Sequence, residues 1–325
     1  MFFISEKIKK QTQITLLNKD ELIELRGFAE QLDCSPAPSN KLESRQTGYL
    51  PTTAIGSGMD YAESRLYQAG DDTRSINWRL SARSHETFVK TFHIESRPAI
   101  GIFLDKRRSM IFGTKTRLKV TQAIRVAVLL AIAAEQKKML FQGWILDNEA
   151  GLQFYDNPEG FIYQANHLNT KTTELCNKSA NKPNNKPVKD TEKTQITAVL
   201  QTIYQKIIIG SLVYLISDFS DLEASNSKEI ISLHEHCFVQ ALQIQDHAEL
   251  NLPRNSTFRL QDMQENRSFK LNTQNAFEHQ AYQEFTKDYF LQKKQIFKNL
   301  GISYTEILTN VHDVNSKINL PLGQA

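Results

Sequence analysis

Cysteine is scarce in this chain. Cys34, Cys176 and Cys237 are scattered through 325 residues, and none belongs to a CxxC pair. That spacing excludes the disulfide framework of a small secreted domain and a cysteine-built zinc site, and it fits a reducing cytoplasm. Long apolar runs are missing too. The longest, "VAVLLAIAA" (Val126–Ala134), falls well short of the ~20 residues a membrane-spanning helix needs, so no direct membrane insertion is expected. The opening "MFFISEKIKK" has two aromatics and then charge, without the apolar core of a signal peptide. Charge of one sign is not in excess: 39 Lys and Arg face 36 Asp and Glu, for a formal net charge of +3. A uniformly basic nucleic-acid binder would carry more. No G-x-S-x-G elbow, Walker loop or G-x-G-x-x-G turn is present, which removes the commonest hydrolase, nucleotide and dinucleotide signatures.

What is present is an ordinary globular composition, 40% hydrophobic and 23% charged. The length suits one large domain with an appendage, or two domains. Asn18 stands as an N-cap before Leu22, Ile23, Leu25, Phe28, Ala29 and Leu32, which approach helical spacing. "SPAPSN" breaks that pattern, and the Gly- and Thr-rich "TGYLPTTAIGSGMD" reads as loop. Between Tyr61 and Arg97 charge and aromatics crowd together, and the alternation in "TFVKTFHIE" predicts a strand over Thr87–Glu95.

A different rhythm then begins. "AIGIFLD" is a buried-strand run that ends on a carboxylate, and "LKVTQAIRVAVLLAIAAEQ" is a buried helix. "MLFQGWIL" and "GLQFYD" read as strands, and "TQITAVLQTIYQKI" is an amphipathic helix. "SLVYLISD" is a second strand ending on a carboxylate. "LEASNSKEIISLHEH" follows as a helix and "CFVQALQI" as a strand. "STFRLQDMQENRSFKLNT" looks like a hairpin, and a long helix closes on Gly301 before a last strand, "ISYTEIL". The fold class expected is α/β, a mainly parallel sheet with helices on both faces over residues 100–325. Residues 1–99 form an irregular N-terminal subdomain holding the first helix and an Arg/Asp-rich block. The segment at about 171–193, rich in Lys, Asn and Pro, is a flexible insert, either solvated loop or docking tail.

Ligands on parallel sheets sit beyond the carboxyl ends of the strands, where Asp105 and Asp218 stand. Together with Ser109 and Thr194, their spacing resembles the von Willebrand factor type A domain. In that fold a D-x-S-x-S loop follows the first strand, a Thr opens a later helix, and an Asp ends the fourth strand. The resemblance implies a magnesium ion held by Asp105, Ser109, Thr194 and Asp218, a hard-oxygen set suited to Mg²⁺. The first Ser of the loop is replaced by Arg107, whose guanidinium has five donors and no acceptor. Three arrangements are open: a metal is still bound; Arg107 takes the metal's place and neutralises Asp105 and Asp218; or Arg107 turns outward. No cofactor is the expectation on the second and third.

Upstream, "GMDYAESRLYQAGDDTRSINWRLSARSHETFVKTFHIE" resembles the signature of the domain of unknown function 58 family. Arg65, Tyr67, Gly70, Asp71, Asp72, Arg74, Ile76, Trp78, Ser81, Ala82 and Arg83 carry the match. Asp246, Glu249, Leu252 and Pro253 match its D-P-x-E-x-x-L-P segment, with His247 in place of the first Pro. The resemblance spans about residues 48–308. It implies a bacterial cytoplasmic protein that works with a MoxR-type AAA+ ATPase, and with membrane-anchored von Willebrand factor A-like proteins, in assembling or maturing other complexes.

Within the signature, Arg65, Asp71, Asp72, Arg74, Arg79 and Arg83 can form an internal salt-bridge network. Two other readings of the block are a partner-docking surface and a nucleic-acid site with Trp78 stacking a base. The acidic residues argue against the last, and no nucleic acid is expected. A phosphatase nucleophile is excluded because D-x-D fails at Arg107, and metal-dependent hydrolysis by Asp105 and Asp218 lacks an evident base. His234 and His236 diverge on a helix and make a poor ligand pair. The function expected is therefore a non-enzymatic interaction module with a degenerate metal-adhesion site.

Overall fold

The computed structural model describes residues 16–32, 59–68, 71–94, 99–114, 116–148, 150–167, 196–223, 227–252, 257–261 and 268–318. Thr194, the insert at 171–193, Cys34 and Cys176 lie outside the described residues. The chain divides into a sheet unit (residues 1–37 and 99–325) and a second unit (residues 38–98).

The first helix, α1 (Lys19–Gln31), opens on a capping box. Asn18 Oδ1 accepts from Glu21 N–H at 2.8 Å, and Glu21 Oε2 accepts from Asn18 N–H at 3.1 Å. This helix was expected in the subdomain before residue 99, but it belongs to the sheet unit. Leu25 and Ala29 are buried in that unit's core, Asn166 holds both the N–H and the carbonyl of Leu17, and Lys137 Nζ donates to Leu32 O at 2.6 Å. Its apolar stripe is buried against the helix Lys119–Gln136 rather than within the irregular block.

In the second unit, β1 (Met59–Leu66) pairs antiparallel with β2 (Phe88–Ile94), and α2 (Trp78–Ser84) lies between them in sequence. Asn77 caps α2 by accepting from Leu80 N–H, and Ser81 Oγ accepts from Phe88 N–H at 2.9 Å.

The sheet unit is built on β3 (Ala99–Asp105), β4 (Leu140–Asp147), β5 (Gly151–Tyr155), β6 (Leu212–Ser217), β7 (Phe238–Gln245) and β10 (Ser303–Leu308). Their order is β10-β7-β6-β3-β4-β5, parallel throughout except for β5, which runs antiparallel to β4. One face is covered by α1, α3 (Lys119–Gln136) and α4 (Pro158–Ala165); the other by α5 (Ile196–Lys206), α6 (Ser227–His236) and α8 (Ala276–Asn299). Burial on both sides is why β3 and β6 are written as unbroken apolar runs, with every residue buried. Helix α3 is buried almost all round, which accounts for its lack of a polar stripe. Gly301 ends α8 with φ +67°, the left-handed position that favours glycine. The hairpin expected near residue 260 is present as β8 (Thr257–Gln261) and β9 (Ser268–Asn272). The expected class, a mainly parallel sheet between two helical layers, is the observed one.

Winding runs outward in both directions from β3: β4 lies on one side and β6 on the other. Such a reversal opens a crevice at the carboxyl ends of the two central strands. Asp105 ends β3, and Asp218 directly follows β6.

Candidate functional site

Asp105 is fully buried, and its carboxylate is surrounded by donors. Its Oδ1 accepts from the Arg107 backbone N–H at 2.9 Å, and its Oδ2 accepts from Ser217 Oγ at 2.7 Å. The Arg107 side chain folds back over it, with Nε at 3.0 Å from Oδ1 and Nη2 at 2.8 Å from Oδ2. The far side of the same guanidinium forks onto Asp221, Nη1 to Oδ2 at 2.6 Å and Nη2 to Oδ1 at 2.9 Å. Asp221 Oδ2 also accepts from the N–H of Ile196, which opens α5, at 3.1 Å. Burial by itself would lower the Arg107 pKa, but the hydrogen bonds and charges of Asp221 and Asp105 outweigh it and raise it further. For Asp221 the balance runs the other way: burial favours the neutral acid, and Arg107 holds it below the usual carboxylate range.

A second ion-paired group adjoins the first. Lys119, at the start of α3 and 3% exposed, donates to Asp218 Oδ2 at 3.0 Å and to Glu249 Oε1 at 2.7 Å. Asp218 Oδ1 accepts from Ser220 N–H at 3.1 Å. Burial pushes Asp218 up, yet the Lys119 charge and hydrogen bond bring it below its ordinary value. Glu249 stays raised, because burial exceeds what Lys119 returns. Glu249 is placed by the short helix α7 (His247–Leu250), itself fixed by a capping box between Asp246 and Glu249. Asp246 also receives Thr114 Oγ1 at 2.5 Å and Thr309 Oγ1 at 2.8 Å, tying the loop after β3 to the end of β10. The D-x-x-E of the family segment is thus a capping box whose glutamate reaches the site cation.

Lys106 points to the helical layer of α3 and α4. Its buried Nζ donates to Gln164 O at 3.2 Å and His167 O at 2.5 Å, at the carboxyl end of α4. Burial pushes this amine down to about 8, against the opposing charge of Asp147.

The predicted residues therefore divide. Asp105 and Arg107 are joined as a pair. Arg107 forks onto Asp221, while Lys119 makes the ion pair with Asp218, whose carboxyl also feels the Arg107 charge. The physical reason is reach, since the short loop after β6 carries Asp221 to the guanidinium while Asp218 faces the start of α3. Ser109 sits partly buried in the turn Arg108–Met110. The expected network in the signature block is reduced, among the described residues, to one fork between Arg65 and Asp71, at 2.8 and 2.6 Å. Asp72 caps a single turn through Arg74 N–H, and Arg74, Trp78, Arg79 and Arg83 are exposed. Sequence reasoning missed Asp221, Lys119, Glu249 and Ser217. The "DFSD" and D-x-x-E patterns were the available signals for Asp221 and Glu249.

Among the described residues, the groups at this edge do not fit a divalent cation. The oxygens a metal needs on Asp105 and Asp218 are engaged by a guanidinium and an ammonium. Among the described residues no group of three or more His, Cys, Asp or Glu is arranged to hold one. Also among the described residues, no helix is long and apolar enough to cross a membrane.

Residues 63–290 match the family described as "Protein of unknown function DUF58". Two curated relatives are the uncharacterized proteins Rv1480 of Mycobacterium tuberculosis and Mb1516 of Mycobacterium bovis. Each is 32% identical over 89 residues, 27% of this chain and 27% of the relative. The match thus spans about a quarter of those proteins' length. Two solved structures are similar. One is the conserved hypothetical protein BatB from Bacteroides thetaiotaomicron, with TM-score 0.39 and 11% identity, covering 68% of this chain and 95% of that one. The other is an aerotolerance-related membrane protein from Bacteroides fragilis, with TM-score 0.37 and 12% identity, covering 69% and 98%.

Proposed function

This chain belongs to the DUF58 family of proteins of unknown function, and from that premise we propose that it is a non-enzymatic adaptor. It captures an acidic side chain of a protein partner at the carboxyl edge of its sheet, and it works with a MoxR-type AAA+ ATPase in assembling or maturing other complexes. One observation carries this reading: Arg107 spends four N–H donors on two carboxylates of its own chain, Asp105 and Asp221. The two differ in permanence. Asp105 is buried on a strand end, held also by Ser217, whereas the Asp221 side chain is 19% exposed on a loop. A partner's carboxylate takes the Asp221 position on the guanidinium, bidentate as before, while Asp221 keeps its bond to the Ile196 N–H. Asp105 has no comparable freedom. Its oxygens are fully engaged, which argues against a nucleophile or base there and so against hydrolysis.

The test is capture from native cell extract with identification of the retained ATPase. Wild type is expected to retain it in chelator and to lose it as salt rises. Arg107→Ala is expected to abolish capture, and Asp221→Asn to strengthen it by removing the internal competitor. Tight, chelator-sensitive Mg²⁺ binding by the wild type in calorimetry, or capture indifferent to Arg107→Ala, overturns the proposal.

A further inference from the structure

Helix α2 in the unit of residues 38–98 presents two contrasting faces. On one, Ser81 is bonded to the Phe88 N–H of β2. On the other lie Trp78, 69% exposed, with exposed Arg79, Ala82 and Arg83. Trp78 with Ala82, and Arg79 with Arg83, are four residues apart, so they form two adjacent stripes on one helical surface. Arg65 of the same unit is matched to Asp71, but among the described residues neither Arg79 nor Arg83 has an ion-pair partner. The chain's other tryptophan, Trp144, is 1% exposed in the core. An exposed indole lies here beside two guanidinium groups that have no ion-pair partner among the described residues. This is the composition that carries binding energy at protein interfaces, where Trp and Arg dominate the central contacts.

Charge selects the occupant. Over residues 38–98 the unit carries eight Lys and Arg against seven Asp and Glu. Nucleic acid is held by the number of phosphates neutralised, and two arginines in a unit of nearly balanced charge supply few. Two forks beside an apolar indole instead match carboxylates spaced by an apolar side chain. We propose that the Trp78–Arg79–Arg83 face docks an acidic, leucine-bearing segment of a partner protein. This face belongs to the unit of residues 38–98, and the proposal does not rest on the adaptor reading.

Trp78 is its own reporter, because acrylamide reaches it and not the buried Trp144. The full-length chain is titrated with a synthetic peptide repeating Asp-Glu-Leu-Leu, with a Lys-Lys-Leu-Leu counterpart, and with single-stranded DNA. The acidic peptide is expected to shift Trp78 emission to the blue and to protect it from acrylamide, less so as salt rises. The basic peptide is expected to do neither. Arg79→Ala/Arg83→Ala is expected to weaken binding by about tenfold, two exposed charge pairs' worth. Arg79→Glu/Arg83→Glu is expected to switch preference to the basic peptide, with circular dichroism confirming the fold. The proposal is overturned by an acidic peptide that gives no protection, by stronger protection from DNA, which would mark a nucleic-acid interface, or by a charge-reversed variant that still prefers the acidic peptide.

Discussion

Removing the ammonium of Lys119 tests whether the edge of this sheet is held by covalent counterions. Lys119→Met keeps the length and apolar stem of the side chain and deletes the charge. The wild-type ammonium serves Asp218 at 3.0 Å and Glu249 at 2.7 Å. Glu249 has a side chain 27% exposed and can recover water, but Asp218, at 7%, cannot. Stranding one member of a buried pair costs about 3–5 kcal/mol. At roughly 2–4 °C per kcal/mol for a chain of this size, thermal melting by circular dichroism should fall by about 10 °C. Lys119→Met/Asp218→Asn removes both charges and should recover much of that loss, with a coupling energy of roughly 2 kcal/mol in the double-mutant cycle. The pH dependence has a definite sign. The Asp218 pKa is held below its unfolded value, so its contribution is present above that value and lost as pH falls through the folded one. Without Lys119 that carboxyl protonates at higher pH, so the deficit of the variant should shrink between pH 7 and pH 4. A neutral-pH deficit under ~1 kcal/mol, or one that stays constant as the solution is acidified, refutes the argument.

Two further perturbations follow from the packing. Lys106, pushed from 10.5 down to about 8 by burial, releases its proton more readily folded than unfolded. Wild-type stability should therefore rise relative to Lys106→Met as pH climbs from about 8 to 10.5, readable in urea denaturation at each pH; parallel curves would contradict it. Gly143, in the middle of β4, has no room for a methyl: an added Cβ would sit 2.4 Å from Phe161 and 2.9 Å from Phe141. Gly143→Ala should cost about 1–3 kcal/mol, and a smaller loss would mean that the two rings move aside cheaply.

How much of this was legible in the sequence depends on the range of the interaction. The apolar runs of β3 and β6 were readable, along with the acids at their ends, because strands buried on both faces leave no other pattern. Local devices were readable as well: Asn18 before its helix and Gly301 after its own. Helix α4 went unread although Asn157 and Pro158 form an N-cap followed by a first-turn proline. Strand β1 went unread because "MDYAESRL" has no clean alternation, and its pairing with β2 contains an irregularity between Tyr61 and Glu63. The helix read from Leu222 is described over Ser227–His236, Leu222 itself is buried in the core, and residues 224–226 lie outside the described residues. Ion-pair partners were the least legible part. Lys119 meets Asp218 across 99 positions and Arg107 meets Asp221 across 114, contacts set by the order of strands and by no local spacing.

On the proposed reading, a counterion that belongs to the chain changes what this edge can sense. A magnesium ion departs when its concentration falls or a chelator competes, and its departure resets the site. Arg107 cannot depart, and because Asp221 and Asp105 raise its pKa it stays charged wherever the protein is folded. Lys119 is raised likewise by Asp218 and Glu249 against the pull of burial. What can still change reversibly is the identity of the carboxylate on the exposed side of the guanidinium. Exchange there replaces one fork with an equivalent one, so the net energy is a small difference between two similar terms. Small differences are what ionic strength and local concentration can tip. A site of this design therefore answers to the abundance of a competing acidic group near it, as an adaptor cycling between partners requires, and remains indifferent to divalent metal.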